Sequence, residues 1–328
     1  MRLSPSLRRW LTGRASDPSI RLRFWAEVEG VPGTDPRVRK ARQELGKNGW
    51  AAWLLSDQLA DGHWHTPGTS GPELFRPKYV ATFWPFLVLS DLGMSREDPR
   101  IRRAAELILQ RFDHRDVGED PLDYRPRGRR REVCVTGMVT RALLRFGYRD
   151  HPAVQRSIDW MVRVQLPDGG WNDEEATRGT LDGWKPLEAL AELPVADRDA
   201  RVGRAIERGA EFFLERRLMR EGSRRYPPWF RIHYPNHYYY DLLVGLRTLT
   251  RLGYGSDPRL RPALQWLREK RSPDGTWSLD ATHPDVDAAG AQDPFEGFEY
   301  PIILEPPGVP SRWATVEALS VLRRSGAA

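Results

Sequence analysis

The chain has 328 residues, 40% hydrophobic and 29% charged, so it can bury a substantial core and does not have the composition of a disordered polymer. Fifty-one Lys and Arg against 45 Asp and Glu leave a net charge of +6, and no nucleic-acid-binding motif accompanies that modest surplus, so no nucleic-acid partner is expected. The longest apolar run, 80–89, is too short for a bilayer and contains Pro85, while one cysteine, Cys134, excludes an internal disulfide framework.

A lone cysteine fits a reducing cytoplasm, and the N-terminal "MRLSPSLRRWLTGR" lacks the apolar stretch of a secretory leader. No integral membrane segment is expected; peripheral membrane contact and oligomeric state stay open. Residues 1–34 read as an N-terminal helical extension, in which "DPSIRLRFWAEVEG" could supply part of an additional helix pair. Residues 35–328 read as one all-α domain.

Within that domain a phrase recurs. "DQLADGHW" (57–64), "VQLPDGGW" (164–171) and "KRSPDGTW" (270–277) end in Trp64, Trp171 and Trp277, which are 107 and 106 residues apart. Trp53, Trp160 and Trp266 show the same spacings upstream. Halving the interval predicts weaker copies, and "DPRIRRAAELILQRF" from 98 matches "DPRLRPALQWLREKR" from 257, with "RAIERGAEFFLERRL" from 204 in the remaining slot. The period is about 53 residues.

Each unit reads as two helices. The first opens on a capping residue followed by proline, as at Asp98-Pro99 and Asp257-Pro258, and carries apolar residues at 3–4 spacing. The second is apolar most of the way round and should be buried: 78–94, 133–148, 181–193, 237–254 and 312–324. Gly93, Gly147 and Gly253 mark three of its ends. Five to six such hairpins can remain an open solenoid or close into a ring.

"WMVRVQLPDGGW", 160–171, resembles the QW motif of the terpenoid cyclase and protein prenyltransferase superfamily, and the similarity runs over about 35–325. The resemblance implies an α/α toroid, an inner ring of helices inside an outer one, with the Gln capping helix termini and the Trp packing toward the neighbouring unit. It marks fold rather than reaction, because toroids serve many functions. It also implies a ligand site at the inner-helix starts, and an isoprenoid or other small apolar ligand.

The standard catalytic motifs of the family are missing. "DVDAAG", 285–290, lacks the third aspartate of the protonating cyclases and precedes no apolar helix; "NDEEA", 172–176, reads as surface. Glu132, Cys134 and His237 resemble the zinc ligands of prenyltransferases, but Glu stands for Asp, and a cysteine opening an apolar helix is more often a core residue, so zinc is disfavoured. His63-x-His65 reads as packing beside a turn.

Three candidate regions remain. In "RRYPPWFRIHYPNHYYYDLL", 224–243, Trp229, Tyr238 and Tyr239 offer aromatic faces that attract cationic intermediates, with His237 and Asp241 as acid or base beside Glu132; a satisfied aromatic interface is the bland alternative. Three tyrosines in a row on a helix point about 100° apart, so at least one would line the cavity or a neighbouring interface. Arg129, Arg130 and Arg131, in a basic loop that also holds Arg125 and Arg127, precede an inner helix and suit a diphosphate, which would bring Mg²⁺ with it; a solvated charge run is the alternative. Arg76, Lys78, Tyr79, Trp84, Thr136, Trp184 and Trp313 occupy equivalent inner-helix starts. Residues 278–310 have no helical period and could fold over the mouth as a lid.

The expectation is an enzyme-like isoprenoid-binding toroid, with a carbohydrate-active toroid and a non-enzymatic interaction module as rivals.

Overall fold

The computed structural model describes residues 3–64, 74–75, 78–112, 132–173, 177–282 and 302–326. Thirteen α-helices carry these residues: α1 Pro5–Thr12, α2 Pro18–Arg23, α3 Pro36–Glu44, α4 Gly49–Ser56, α5 Phe83–Asp91, α6 Pro99–Phe112, α7 Val133–Phe146, α8 Pro152–Arg163, α9 Lys185–Ala191, α10 Ala200–Glu215, α11 Leu242–Arg251, α12 Arg261–Glu269 and α13 Arg312–Arg324. A two-residue ladder pairs Trp277 with Ser311 and Ser278 with Pro310.

Local chemistry sets the helix starts. Ser4, Asp17, Asp35, Asp98, His151 and Asp199 each accept a hydrogen bond from the first turn that follows. In five of those six cases a proline stands first in the helix, where its missing N–H costs nothing.

The helices form an α/α toroid. Nearly every residue of α5, α7, α9, α11 and α13 is buried, as is most of α2, and these six make the inner ring. Helices α6, α8, α10 and α12 bury one stripe each and lie outside. Helix α7 packs on α5 and α9, α11 on α9 and α13, and α13 on α2 and on the π-helical turn Phe24–Glu29. The N-terminal hairpin α2–α3 therefore joins the ring beside α13.

The three tryptophan turns share one set of bonds. Each indole N–H donates back to a carbonyl ten residues upstream: Trp64 to Leu54 at 2.6 Å, Trp171 to Met161 at 2.8 Å and Trp277 to Leu267 at 2.7 Å. The glutamines cross between hairpins: Gln58 donates to Arg100 O in α6 at 3.0 Å and Gln165 to Ala205 O in α10 at 2.8 Å. Gly62, Gly169 and Gly275 have φ between 88° and 99°. At Gly169 a side chain would also collide with Arg208 O, 2.4 Å from the Cβ position.

Several helix starts lie later than the sequence reading placed them: α9 begins at Lys185 and α12 at Arg261, each after a 3-10 turn, and two more shifts bear on the site. The segment 237–254 becomes helical only at Leu242, because Asp241 caps α11 and accepts from Val244 N at 2.8 Å. Tyr238 therefore lies in a turn closed by Tyr239 N donating to Asn236 O at 2.7 Å, and Tyr239 and Tyr240 precede the helix, so the 100° argument does not apply to them. The segment 78–94 is helical only from Phe83, and Lys78 and Tyr79 lie in a turn in which Tyr79 has φ 65°.

Candidate functional site

The inner helices all begin at one end of the ring, and the segment 226–241 crosses that end. Asp241 holds it there. Its Oδ2 accepts from Asn236 Nδ2 at 3.2 Å and His233 N at 3.3 Å and lies 3.0 Å from His233 Nδ1, while Oδ1 caps α11. Asp241 is 1% exposed and borders neither of the two cavities described below. Its place is an anchor for the crossing segment.

Anchored in this way, the segment drops His237 between Tyr79 and Trp84, with ring centroids 5.4 and 4.8 Å away. Tyr238 lies 5.7 Å from Trp84 and under the Lys78 ammonium, and its carbonyl accepts the Trp184 indole N–H at 3.2 Å. Lys78, Tyr79, Trp84, Trp184, His237 and Tyr238 are thus brought into one cluster. Trp313 is not part of it: it stacks on Tyr234 at 4.0 Å and under the Arg23 guanidinium.

Beside this cluster a cavity of about 290 Å³ opens. Trp229, Tyr226, Tyr238, Tyr239 and Tyr240 supply its aromatic walls, and Cys134, Asp173, Asp182 and Arg224 its polar groups. Asp182 Oδ1 accepts the Trp229 indole N–H at 3.0 Å, and Asp173 Oδ1 accepts Cys134 N–H at 3.0 Å, so both carboxylates are positioned by the elements they join. Burial, aided by the Asp173 carboxylate, pushes the Cys134 thiol well above its ordinary range, which makes it a poor nucleophile. Arg224 stands at the rim, half exposed, over the rings of Tyr226 and Trp229 at 4.9 and 5.4 Å.

The ring axis below is closed by charge. Glu188 of α9 meets Arg247 of α11, Arg141 of α7 at 3.2 Å and Lys185 at 3.6 Å. Arg141 also holds Asp91 of α5 at 2.6 Å, Arg247 reaches Glu317 of α13 at 3.1 Å, and Glu317 binds Arg23 of α2 at 2.6 Å. All six inner helices are linked. Despite burial, which acts against the charge, the surrounding guanidinium groups hold the Glu188 carboxyl down to about 2 and the Asp91 carboxyl well below its usual range. Burial and the neighbouring Arg141 and Arg247 bring Lys185 down to about 8. A second cavity of about 20 Å³ lies between this network and the crossing segment, bordered by Asp91, Arg141, Lys185, Asn236, His237 and Arg247.

The resemblance implied a central aromatic cavity for the ligand; the axis among the described residues is occupied instead, and the aromatic cavity lies at the mouth. Asp173, Asp182, Arg224 and Tyr240 were not among the expected site residues. Asp182 is two positions from Trp184, and the two aspartates flank the segment entering α9, so a search of the approach to each inner helix would have found them.

Glu132 precedes α7 and takes no part in the cavities, and Thr136, fully buried, bonds Glu132 O at 3.4 Å. Cys134 and His237 border different cavities, and among the described residues no group of three His, Cys, Asp or Glu is placed to hold a metal. Arg76, Arg125, Arg127, Arg129, Arg130, Arg131, His65 and the "DVDAAG" stretch lie outside the described residues. So does 283–301 of the expected lid; its described end is tied down by Glu305, which accepts from Arg312 N and Trp313 N at 3.0 Å.

No family model matches the chain. Two curated proteins do: a probable squalene–hopene cyclase of Sinorhizobium fredii (strain NBRC 101917 / NGR234), 30% identical over 134 residues, and a squalene–hopene cyclase of Bradyrhizobium diazoefficiens, 29% identical over 134 residues. The chain resembles the terpenoid cyclases. The match takes in 38% of this chain and only 20% and 19% of those proteins, so it spans about a fifth of their length. Among solved structures, a polysaccharide lyase superposes with a TM-score of 0.50 at 14% identity, covering 98% of this chain and 94% of that one, a likeness of fold. No helix among the described residues is long and apolar enough to cross a membrane.

Proposed function

We propose that this terpenoid cyclase-like chain binds a short isoprenoid in the mouth pocket rather than a long polyprenyl chain on the ring axis. The observation that carries the reading is the position of the aromatic walls: Tyr226, Trp229, Tyr238, Tyr239 and Tyr240 surround one cavity at the inner-helix starts, above an axis filled by ion pairs. About 290 Å³ is enough for a prenyl group of one or two isoprene units. The ring faces favour an allylic cation. Arg224, with Arg129, Arg130 and Arg131 proposed alongside it, supports an anionic head group. Asp173 and Asp182 are the carboxylates available for proton transfer.

Binding is tested by calorimetry with geranyl diphosphate against inorganic diphosphate. Geranyl diphosphate is expected to bind more tightly, and Tyr239→Ala to weaken it by about 1–2 kcal/mol, roughly 5- to 30-fold in Kd. Equal binding of the two, or no binding of either, refutes the reading.

Two carboxylates facing aromatic walls in one pocket also suit a sugar, and this observation favours a second reading, a carbohydrate-active toroid. An oligosaccharide series in the same calorimeter decides between them.

A further inference from the structure

The ion network on the ring axis is not balanced. Seven basic side chains take part, Arg23, Arg141, Arg145, Lys185, Arg247, Arg251 and Arg324, against the five carboxylates Glu27, Asp91, Glu188, Glu192 and Glu317. Buried charge without a partner is costly, and the cost is relieved by pairing.

Lys185 is where the shortfall concentrates. Its side chain is 6% exposed, and its ammonium lies 3.6 Å from Glu188 Oε2 and 3.6 Å from the centre of the Trp184 ring. An ammonium has three donors to satisfy. Glu188 is shared between Lys185, Arg141 and Arg247, and Asp91, on the same cavity, is already held by Arg141, Arg145 and the Tyr234 hydroxyl. Arg141 Nε and Arg247 Nε are buried without a hydrogen bond, as is the acceptor Glu188 Oε2.

Lys185, Arg141 and Arg247 all border the 20 Å³ cavity. A cavity of that size has room for one species of water or halide dimensions, and three cations facing one carboxylate favour a negative one.

We propose that this cavity is a binding site for a small monovalent anion of chloride size, held by Lys185, Arg141 and Arg247, which supplies the missing negative charge at the centre of the ring. The site is independent of the mouth pocket: Asn236 and His237 of the crossing segment roof it, and none of the residues around it borders the larger cavity. Its role is to lock the inner helices together.

The test is thermal unfolding of the full chain at fixed ionic strength while sodium chloride replaces sodium gluconate. Chloride is expected to raise the midpoint in a saturating manner, by roughly 2–4 °C for a site well occupied at about 0.3 M. In Lys185→Met the chloride dependence should vanish while the protein remains folded. If that variant does not fold, crystals grown in bromide serve instead, with an anomalous peak expected between Lys185, Arg141 and Arg247. Superimposable chloride and gluconate curves, or a bromide-soaked crystal with only water in the cavity, would overturn the proposal.

Discussion

The two ends of the inner ring are built from the same helices and follow opposite rules. At the starting end, irregular chain between residues 226 and 241 brings in aromatic rings, and polar groups such as Asp182 and Trp229 bond in pairs around a cavity. Toward the other end, regular helices carry Arg141 and Arg145 on α7 and Arg247 and Arg251 on α11, with Arg145 and Arg251 in the last turn, where the helix dipole favours cations, and carboxylates from neighbouring helices close on them. The difference teaches where adaptability resides. A cavity whose walls come from loop chain can accept a changed side chain, whereas a desolvated charge network cannot lose one member without stranding the others.

The contrast is broken most forcefully at Glu188. Glu188→Gln keeps the volume but leaves Arg141, Arg247 and Lys185 without their shared carboxylate, and is expected to cost about 3–5 kcal/mol in urea unfolding. A loss below about 1 kcal/mol would mean that water reaches the axis. Next comes the anchor between the two ends. Asp241→Ala removes the α11 cap and the acceptor for His233 N and Asn236, an expected loss of about 1–3 kcal/mol with loosening of the crossing segment, detectable as faster amide exchange at 231–241. In the outer ring, Gly209→Ala would place a Cβ 2.9 Å from the Trp171 ring, and overpacking there should cost about 1–3 kcal/mol.

The pH dependence sharpens the picture of the axis. Glu188, held down to about 2, contributes stability that is present above the unfolded carboxyl range and lost as pH falls toward 2. Lys185 acts in the other direction. Its folded value of about 8 lies below the ordinary 10.5, so between those limits the unfolded chain binds more protons and stability rises with pH. Melting curves from pH 8 to 10 should show that rise in the wild type and lose it in Lys185→Met. Smallest of all, Arg224→Ala at the half-exposed pocket rim should shift stability by less than about 0.5 kcal/mol while lowering affinity for an anionic ligand.

Architecture was legible because its signals are local. A capping Asp before proline and the Gly-x-Trp turn each act within a few residues, and each recurs along the chain. The pocket was half legible. Trp229, Tyr238, Tyr239 and Cys134 could be picked by type and place, but Asp173 and Asp182 carry no motif, and their position depends on Cys134 N and the Trp229 indole, 39 and 47 residues away in sequence. Helix starts were misplaced where polar side chains overrule apolar pattern, at Asp241 and around Tyr79. The axis was missed because the pairs that link one inner helix to another join residues 47 to 294 positions apart. A signal was nevertheless present: Arg141, Glu188, Arg247 and Glu317 each interrupt an otherwise apolar inner helix, and charges of opposite sign in neighbouring helices were the mark of an ion-paired centre.

The clasp between Arg23 and Glu317 has a consequence for how the protein is made. During synthesis α2 is made before its partner on α13, which follows only after nearly three hundred further residues. Until then the growing chain is an open crescent with the buried face of α2 uncovered, at risk of pairing with other chains. Closure is thus a long-range event, and contacts of such sequence separation slow folding.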